Sequence, residues 1–249
     1  MADHRRFLIN PEQISGAEAV LGGPTARQIS KVLRLKLGDA VTLMDGCGST
    51  YQAKIRTIAS DVVVADISAS QLDTNEPRLR LVLASCLPKS DRIEFIIQKC
   101  TELGISEMVL VESQRTVTRI EKDSRQKKLE RWRRIASEAA EQSGRSRVPC
   151  LTGVIVYREL VAMIPQFPLT LIAWEEEDGL SLRDALKGRL DVESVMLIIG
   201  PEGGLTEKEV EAAKSAGAVS VSLGGRLLRT DTAAIATCAA IMYEIEGEL

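Results

Sequence analysis

The chain has 249 residues, enough for one large domain or two smaller ones, and its apolar and charged fractions are ordinary for a globular protein. A net charge of −3 excludes a chain that is basic throughout, and no apolar run is long enough to predict a membrane span. The five cysteines are scattered and His4 is the only histidine, which argues against disulfides, a metal site or a histidine base. The charged N-terminus has no signal-peptide core, so we expect a cytoplasmic protein.

Short strands in close succession predict a small β-barrel in the N-terminal part of the chain. The strands are "RRFLI" (5–9), two runs around an Asp45-Gly46 turn (39–58), and "DVVVADIS" (61–68). Between them, "TARQISKVL" (25–33) predicts a helix with Thr25 as its N-cap. The polar stretch 70–78 ends near Pro77 and is the candidate linker.

From Leu79 onward, apolar strands alternate with helices. The predicted strands are residues 79–85, 105–111, 151–156, 169–175, 194–200 and 218–224. Predicted helices include 90–103, capped by Ser90 or Asp91 and ending at Gly104, a basic helix at 124–143, and a last helix at 231–246. This alternation predicts a parallel sheet covered by helices on both faces, and therefore an α/β protein.

The segment "LIIGPEGGLTEKEV" (197–210) predicts a strand, a glycine-rich turn and a helix that begins at a Thr206–Glu209 capping box. The turn has neither a P-loop nor a dinucleotide-binding pattern. Pro201 also lacks the N–H that a phosphate cradle uses, and Glu202 would repel an anion. The turn therefore favours a ligand that is neutral or cationic at the point of contact, or else a tight turn without a ligand.

Three strand ends converge late in the chain, at residues 171–179, 198–204 and 223–234. Ligands of open α/β sheets bind at the carboxyl ends of the strands, so these segments form the candidate site. Arg226 and Arg229 lie in the third segment, followed by Thr230, Asp231 and Thr232, which can cap the last helix. The alternative is that the arginines are solvated loop charges and the polar residues only cap.

The motifs "LIIGPEGGLTEKEV" and "VSLGGRLLRTDTAAIA" resemble the bacterial family that methylates N3 of a uridine in 16S ribosomal RNA, within the SPOUT superfamily. "HRRFLI" and "ISKVLRLKLGD" are similar to the N-terminal PUA-like domain of that family. "KSDRIEFIIQKCTELGISEMVLVESQRTV" and "RWRRIASEAAEQSGRSRVP" are similar to its central part. One position departs from the family pattern, because Asp231 stands where the family usually has Glu.

The resemblance implies a PUA-like β-barrel at 1–72 and a SPOUT domain at 78–249, whose deep trefoil knot holds S-adenosylmethionine without any metal. It also implies a homodimer formed through the knot. The implied cofactor-binding residues are Ala173, Trp174, Glu175, Ile199, Gly200, Pro201, Gly203, Leu223, Gly224, Leu228, Thr230 and Thr232.

Methylation of uracil N3 requires loss of a weakly acidic proton, and a cation beside O2 or O4 would stabilise the anion that forms. Arg229 is the candidate for this role, with Arg226 as the alternative. Glu202 or Asp231 would accept the proton or orient the arginine.

A basic segment around residues 124–147 and a second patch in the N-terminal domain are the candidates for contact with ribosomal RNA. The candidate RNA-binding residues are Arg5, Arg6, Arg34, Lys36, Arg131, Arg134, Arg145 and Arg147. The basic helix could equally be a solvated face. Two functional alternatives stay open: a SPOUT enzyme with another RNA target, and a non-catalytic RNA-binding factor in assembly of the small ribosomal subunit.

Overall fold

The computed structural model describes residues 5–59, 61–73, 75–89 and 92–247, with Lys122 described by its backbone alone. The chain forms two compact units. One comprises Met1–Glu76 and Ser137–Val148, and the other comprises Pro77–Ala136 and Pro149–Leu249. Across the described ranges, no helix is long and apolar enough to cross a membrane.

The first unit is built on a six-stranded sheet with the order β1-β4-β5-β6-β3-β2. Its strands are β1 (Arg6–Leu8), β2 (Ile14–Ser15), β3 (Glu18–Gly22), β4 (Ala40–Met44), β5 (Ser49–Ile58) and β6 (Val62–Leu72). β1 pairs in parallel with β4, and the other neighbours are antiparallel. Alternate residues such as Phe7, Leu21, Leu43, Ile55 and Val63 are buried together in its core.

The helix predicted at 25–33 is present, but its start was predicted wrongly. α1 spans Gly23–Arg27 and continues as a π-helical turn, Gln28–Val32. The N-cap is Gly22, which makes no side-chain hydrogen bond, and Thr25 lies inside the first turn. Pro24 explains the earlier start, because its fixed φ suits the first helical positions, where a missing N–H costs nothing.

The segment Ser137–Val148 belongs to the first unit, although the sequence boundaries grouped it with residues 78–249. Glu76 is its anchor in that unit. The Glu76 carboxylate accepts hydrogen bonds from the Arg145 guanidinium at 2.8 Å and from the Arg147 backbone N–H at 2.9 Å. Contacts between residues so far apart in the chain leave no periodic signal in the sequence.

The second unit carries a six-stranded sheet with the order β12-β10-β11-β7-β8-β9, and every neighbouring pair is parallel. Its strands are β7 (Arg80–Cys86), β8 (Glu107–Glu112), β9 (Cys150–Val156), β10 (Leu169–Ala173), β11 (Ser194–Ile199) and β12 (Val219–Val221). Its helices are α2 (Arg92–Glu102), α3 (Lys122–Ser143, which ends in the first unit), α4 (Tyr157–Met163), α5 (Leu182–Leu186), α6 (Glu207–Ser215) and α7 (Thr230–Glu246). The predicted parallel α/β sheet is confirmed.

The strands of this sheet are apolar without alternation because both of their faces are buried. On β7, Val82 and Ala84 pack in one cluster with residues of α4 and α6. The intervening Leu81 and Leu83 are also fully buried, and α7 contacts β7 and β11. Burial on both faces explains why β7 shows a continuous apolar run rather than a period of two.

The end of α2 and the start of α7 can be compared with the predicted helix caps. Gly104 follows α2 with φ +97°, as expected of a helix-ending glycine, whereas the proposed caps Ser90 and Asp91 lie outside the described residues. The expected capping of α7 by residues 230–232 was wrong, because Arg229 occupies the N-cap position and makes no side-chain cap hydrogen bond. Thr230 is already the first helical residue.

Candidate cofactor and catalytic site

Three loops of the second unit enclose a cavity of about 720 Å³. They follow β10, β11 and β12, which are neighbours in the sheet and present their carboxyl ends at one edge. The lining residues are 173–175, 177 and 178 at and after the end of β10, 199–202 and 204 at and after the end of β11, and 222–230 with Ala233 after β12. The three segments that the sequence singled out therefore meet at a single cavity.

The charged side chains that line the cavity are mostly acidic. The carboxylates of Glu175, Glu177, Asp178 and Glu202 stand against only two cations, Arg226 and Arg229. Such a wall disfavours a phosphate and suits a ligand that carries a positive charge. Within the described residues, no group of three or more His, Cys, Asp or Glu side chains could hold a metal ion.

Glu177 provides a fixed negative charge at this wall. Its carboxylate accepts a short hydrogen bond from the Ser220 hydroxyl and further bonds from the backbone N–H groups of Gly179 at 2.9 Å and Leu180 at 3.3 Å. The hydrogen bond from Ser220, followed by that from Gly179, lowers the pKa of Glu177. Glu177 therefore stays ionised near neutral pH and joins the β10–α5 loop to β12.

Trp174 follows β10 directly and forms part of the cavity wall. Its backbone N–H donates to Val221 at 3.2 Å, which fixes the start of the loop on β12. Its indole Nε1 is buried and has no acceptor anywhere in the described ranges. An unpaired buried donor is costly, so this wall has an unused hydrogen-bonding group.

The glycine-rich turn brings backbone close to other groups at the cavity. Gly204 has φ +69°, and a Cβ at this position would overlap the Glu175 carboxylate. Its N–H donates to Pro201 at 2.9 Å and closes the turn. After the turn, the predicted Thr206–Glu209 capping box is present at the start of α6.

Two neighbouring loops hold the outer side of the same turn. Glu202 accepts a hydrogen bond from the backbone N–H of Lys89 at 2.9 Å. The Arg115 guanidinium donates to the Gly203 carbonyl at 2.9 Å. The Glu202 side chain is therefore tethered through one oxygen while the residue still lines the cavity.

Arg229 is exposed at the cavity, immediately before α7. No carboxylate in the described part of the chain forms an ion pair with it. Asp231 does not line the cavity, and its Oδ1 accepts from the N–H of Thr232 at 2.9 Å. The cavity lining therefore offers two cations, Arg226 and Arg229, and four carboxylates, of which Glu202 belongs to the glycine-rich turn.

Most of the predicted cofactor-binding residues lie at this cavity. The lining includes Ala173, Trp174, Glu175, Ile199, Gly200, Pro201, Leu223, Gly224, Leu228 and Thr230. It does not include Gly203 or Thr232: Gly203 faces Arg115, and Thr232 is exposed on α7.

Glu177 and Gly204 also line the cavity, although neither is among the residues predicted from the sequence. The acidic run at residues 175–178 was a visible signal for Glu177. For Gly204, the signal was its place as the last glycine before the Thr206 cap.

The predicted RNA contacts divide between the two units. In the second unit, Arg131 pairs with Glu94 at 2.7 Å, and Arg134 is exposed. In the first unit, Arg34 and Lys36 are exposed, and the backbone φ of Arg34 is +52°. Arg134 and Lys36 remain on the surface of their units.

The other arginines predicted to bind RNA in the first unit contact residues of that unit. Arg145 is 9% exposed and pairs with Glu76 at 2.8 Å, so it contributes to internal packing. Arg5 lies 4.0 Å from Asp39, and Arg6 lies 3.7 Å from Asp73. The guanidinium of Arg147 covers Gly48.

A family model described as an RNA methyltransferase domain matches residues 74–242. The chain belongs to this family of RNA methyltransferases. Its sequence is 35% identical to ribosomal RNA small subunit methyltransferase E of Bacillus subtilis, over 97% of both chains. Identity to the protein of the same name from Synechocystis is 34%, over 97% of this chain and 78% of the relative. The family resemblance carried by the sequence motifs is confirmed.

Solved structures of related proteins share this fold. The ribosomal RNA small subunit methyltransferase E of Neisseria gonorrhoeae, bound to S-adenosyl methionine, is 32% identical over 96% of each chain, with a TM-score of 0.83. A Legionella pneumophila methyltransferase in complex with the bound cofactor SAM is 29% identical over 96% of each chain, with a TM-score of 0.84. The mixed α/β architecture is therefore that of methyltransferases of this family.

Proposed function

We propose that this protein transfers a methyl group from S-adenosylmethionine to N3 of a uridine in 16S ribosomal RNA, which gives N3-methyluridine. The observation that carries the proposal is the acidic cavity at the carboxyl ends of β10, β11 and β12. Membership of the RNA methyltransferase family and the cofactor-bound neighbours support the same activity.

The residues at the cavity fit this cofactor better than they fit a nucleotide phosphate. The Gly204 backbone, which a Cβ would block, leaves a close approach for the nucleoside, and Trp174 offers an unused donor. The charges of Glu175 and Glu177 are compatible with a sulfonium. When bound, S-adenosylmethionine supplies an electrophilic methyl group, and the protein needs no metal for this.

Arg229 has the position and the charge to stabilise the uracil anion. The N3–H bond must break before N3 can form a bond to carbon, and negative charge then spreads to O2 and O4. A guanidinium beside one of these oxygens lowers the pKa of N3, and each unit of lowering is worth about 1.4 kcal/mol. Arg226 lines the same loop and is the alternative cation.

Glu202 is the better placed of the two proposed proton acceptors. Its Oε1 accepts from Lys89, which leaves the second carboxylate oxygen for the N3 proton. Asp231 lies outside the cavity lining, and its proposed role is therefore to orient Arg229 or Thr232 at the start of α7. Positioning of the two reactants would supply much of the rate.

The finer architecture belongs to the same proposal. We assign residues 1–72 to a PUA-like barrel, and residues 78–249, apart from the segment 137–148 of the first unit, to a SPOUT domain with a trefoil knot. The knot rests on the resemblance of the sequence motifs to SPOUT proteins. A homodimer is supported by two exposed apolar side chains, Leu227 just before α7 (87% exposed) and Tyr243 on α7 (61% exposed). We place the protein in the cytoplasm, with its ribosomal substrate.

Nucleoside mass spectrometry tests the activity. The purified protein is incubated with S-adenosylmethionine and EDTA, and with either naked 16S RNA or small subunits from a strain that lacks the gene. We expect N3-methyluridine to appear with at least one substrate, and the same nucleoside to be missing from the untreated RNA. Cofactor binding without methylation of either RNA would instead favour the assembly-factor alternative, and a requirement for added metal would contradict the proposed site.

A further inference from the structure

Two loops beside the cavity are attached to its glycine-rich turn. They follow β7 and β8, whose carboxyl ends lie at the same edge as that of β11. The hydroxyl of Thr118 donates to the Pro88 carbonyl at 2.9 Å and joins the two loops to each other. The bonds from Lys89 to Glu202 and from Arg115 to Gly203 join them to the turn.

These loops place exposed cations beside the cavity rim. Lys89 and Arg119 are exposed, and each is the neighbour in sequence of a partner in the Pro88–Thr118 bond. Among the carboxylates that the structure describes, none forms an ion pair with either side chain; Asp91 lies outside the described residues. Lys89 contributes its backbone N–H to Glu202, so its ammonium group stays available.

The positive surface continues away from the cavity. A crevice of about 80 Å³ opens behind the two loops, with Pro88 and Thr118 on one side and the largely buried Trp132 among its lining residues. Lys128 is exposed at this crevice on α3. Arg131 also lines the crevice, but Glu94 neutralises its charge at 2.7 Å. The cations therefore run from the rim of the cavity across the loops to α3.

We propose that Lys89, Arg119 and Lys128 hold the phosphates of the RNA strand that flanks the target nucleotide. This inference rests on the proposed function and identifies the path by which the RNA reaches that site. Exposed cations without carboxylate partners suit a chain of phosphates, because each contact releases counterions and none requires a base of fixed identity. Their attachment to the glycine-rich turn places this strand next to the reacting groups.

A double variant, Lys89→Ala with Arg119→Ala, tests the path. It keeps the backbone N–H that binds Glu202 and the Pro88–Thr118 hydrogen bond, so the turn should be unchanged. The matched control is Lys187→Ala with Arg189→Ala. It also removes one exposed lysine and one exposed arginine, but at the opposite edge of the sheet, before β11 begins.

Affinity for a 16S RNA fragment is measured by fluorescence anisotropy over a range of salt concentrations, and cofactor affinity by calorimetry. For the double variant, we expect RNA binding about tenfold weaker at low salt. The slope of log K against log salt should be shallower by about 1.4, since two single-strand phosphate contacts are lost. Cofactor affinity should match the parent, KM for RNA should rise, and kcat at saturating RNA should be kept.

The control variant should behave as the parent in every measurement. Parent-like RNA affinity and salt slope in the Lys89/Arg119 variant would overturn the proposed path, even if the parent methylates RNA. An equal loss in the control variant would also overturn it, because the effect would then be one of overall charge. If the parent transfers no methyl group, the proposed function fails separately, while the salt slopes still decide whether this surface binds RNA.

Discussion

Replacing Gly204 with alanine should damage both the fold and the cofactor site. Gly204 has φ +69°, and the added methyl group would overlap the carboxylate of Glu175. Two costs follow from this one change. The backbone must hold an L-residue in the left-handed region, and Glu175 must move from its place in the cavity wall.

The first cost, in free energy of unfolding, follows from the backbone conformation of residue 204. An alanine in the left-handed region is less favourable by about 1–2 kcal/mol. For a chain of this size, each kcal/mol lowers Tm by about 2–4 °C. The second cost falls mainly on binding, because Glu175 is exposed and its carboxylate can swing aside. We expect cofactor affinity to fall at least about tenfold, the equivalent of about 1.4 kcal/mol.

Calorimetry for the cofactor and thermal unfolding together check these values. Gly203→Ala is the matched control: its φ is not positive, and its Cβ would lie 3.4 Å from Cβ of Arg115, an ordinary contact. Introducing Gly204→Ala into a Glu175→Ala background removes the overlap and leaves the backbone cost alone. Equal Tm values and equal cofactor affinities for Gly204→Ala and Gly203→Ala would contradict both the backbone strain at Gly204 and the overlap with Glu175.

Three further outcomes are expected. Arg229→Ala should lower the single-turnover rate about 10²–10³-fold while cofactor and RNA affinities stay within a few-fold of the parent, and an unchanged rate would exclude it as the catalytic cation. Glu202→Gln keeps an acceptor for the Lys89 N–H but cannot take a proton, so the rate of methyl transfer should fall while Tm stays unchanged. Full activity would mean that Glu202 only holds the turn through its hydrogen bond with Lys89. Burial, and then the charge of Glu138, raise the pKa of Glu141, while the Gln28 hydrogen bond opposes them. The folded state therefore binds the Glu141 proton more tightly, and Glu141→Gln should raise Tm slightly at pH 7. That gain should shrink as pH falls through the raised pKa and vanish below the ordinary value of 4.5; a gain that persists there would contradict the assignment.

The sequence was informative wherever short-range patterns decide the structure. Six apolar runs became the six parallel strands of the second unit, and the Thr206–Glu209 pair caps α6 as predicted. Because parallel strands present their carboxyl ends at one edge of the sheet, the sequence was sufficient to assign three segments far apart in the chain to one site.

Local sequence patterns gave wrong predictions where a neighbouring residue or a partner far away in the chain determines the structure. Thr25 had the chemistry of a cap, but Pro24 allowed the helix to begin at Gly23. Arg145 carries the same charge as its neighbours in the basic segment, yet Glu76 holds it buried. The number of charges in a sequence segment cannot distinguish an arginine in a buried ion pair from an arginine on a surface that binds RNA.

Local sequence patterns also cannot assign the different roles of the acidic residues at the cavity. Glu202 and Glu175 both follow buried strands, and nothing local in the sequence distinguishes a tethered carboxylate from a free one. The partner of Glu202 is 113 residues away, and the arginine that holds Gly203 is 88 residues away. Chain direction in a parallel sheet fixes which residues reach the reacting edge. Long-range hydrogen bonds then determine which of them remain available for chemistry, and these depend on loops whose neighbours are known only once the sheet is assembled.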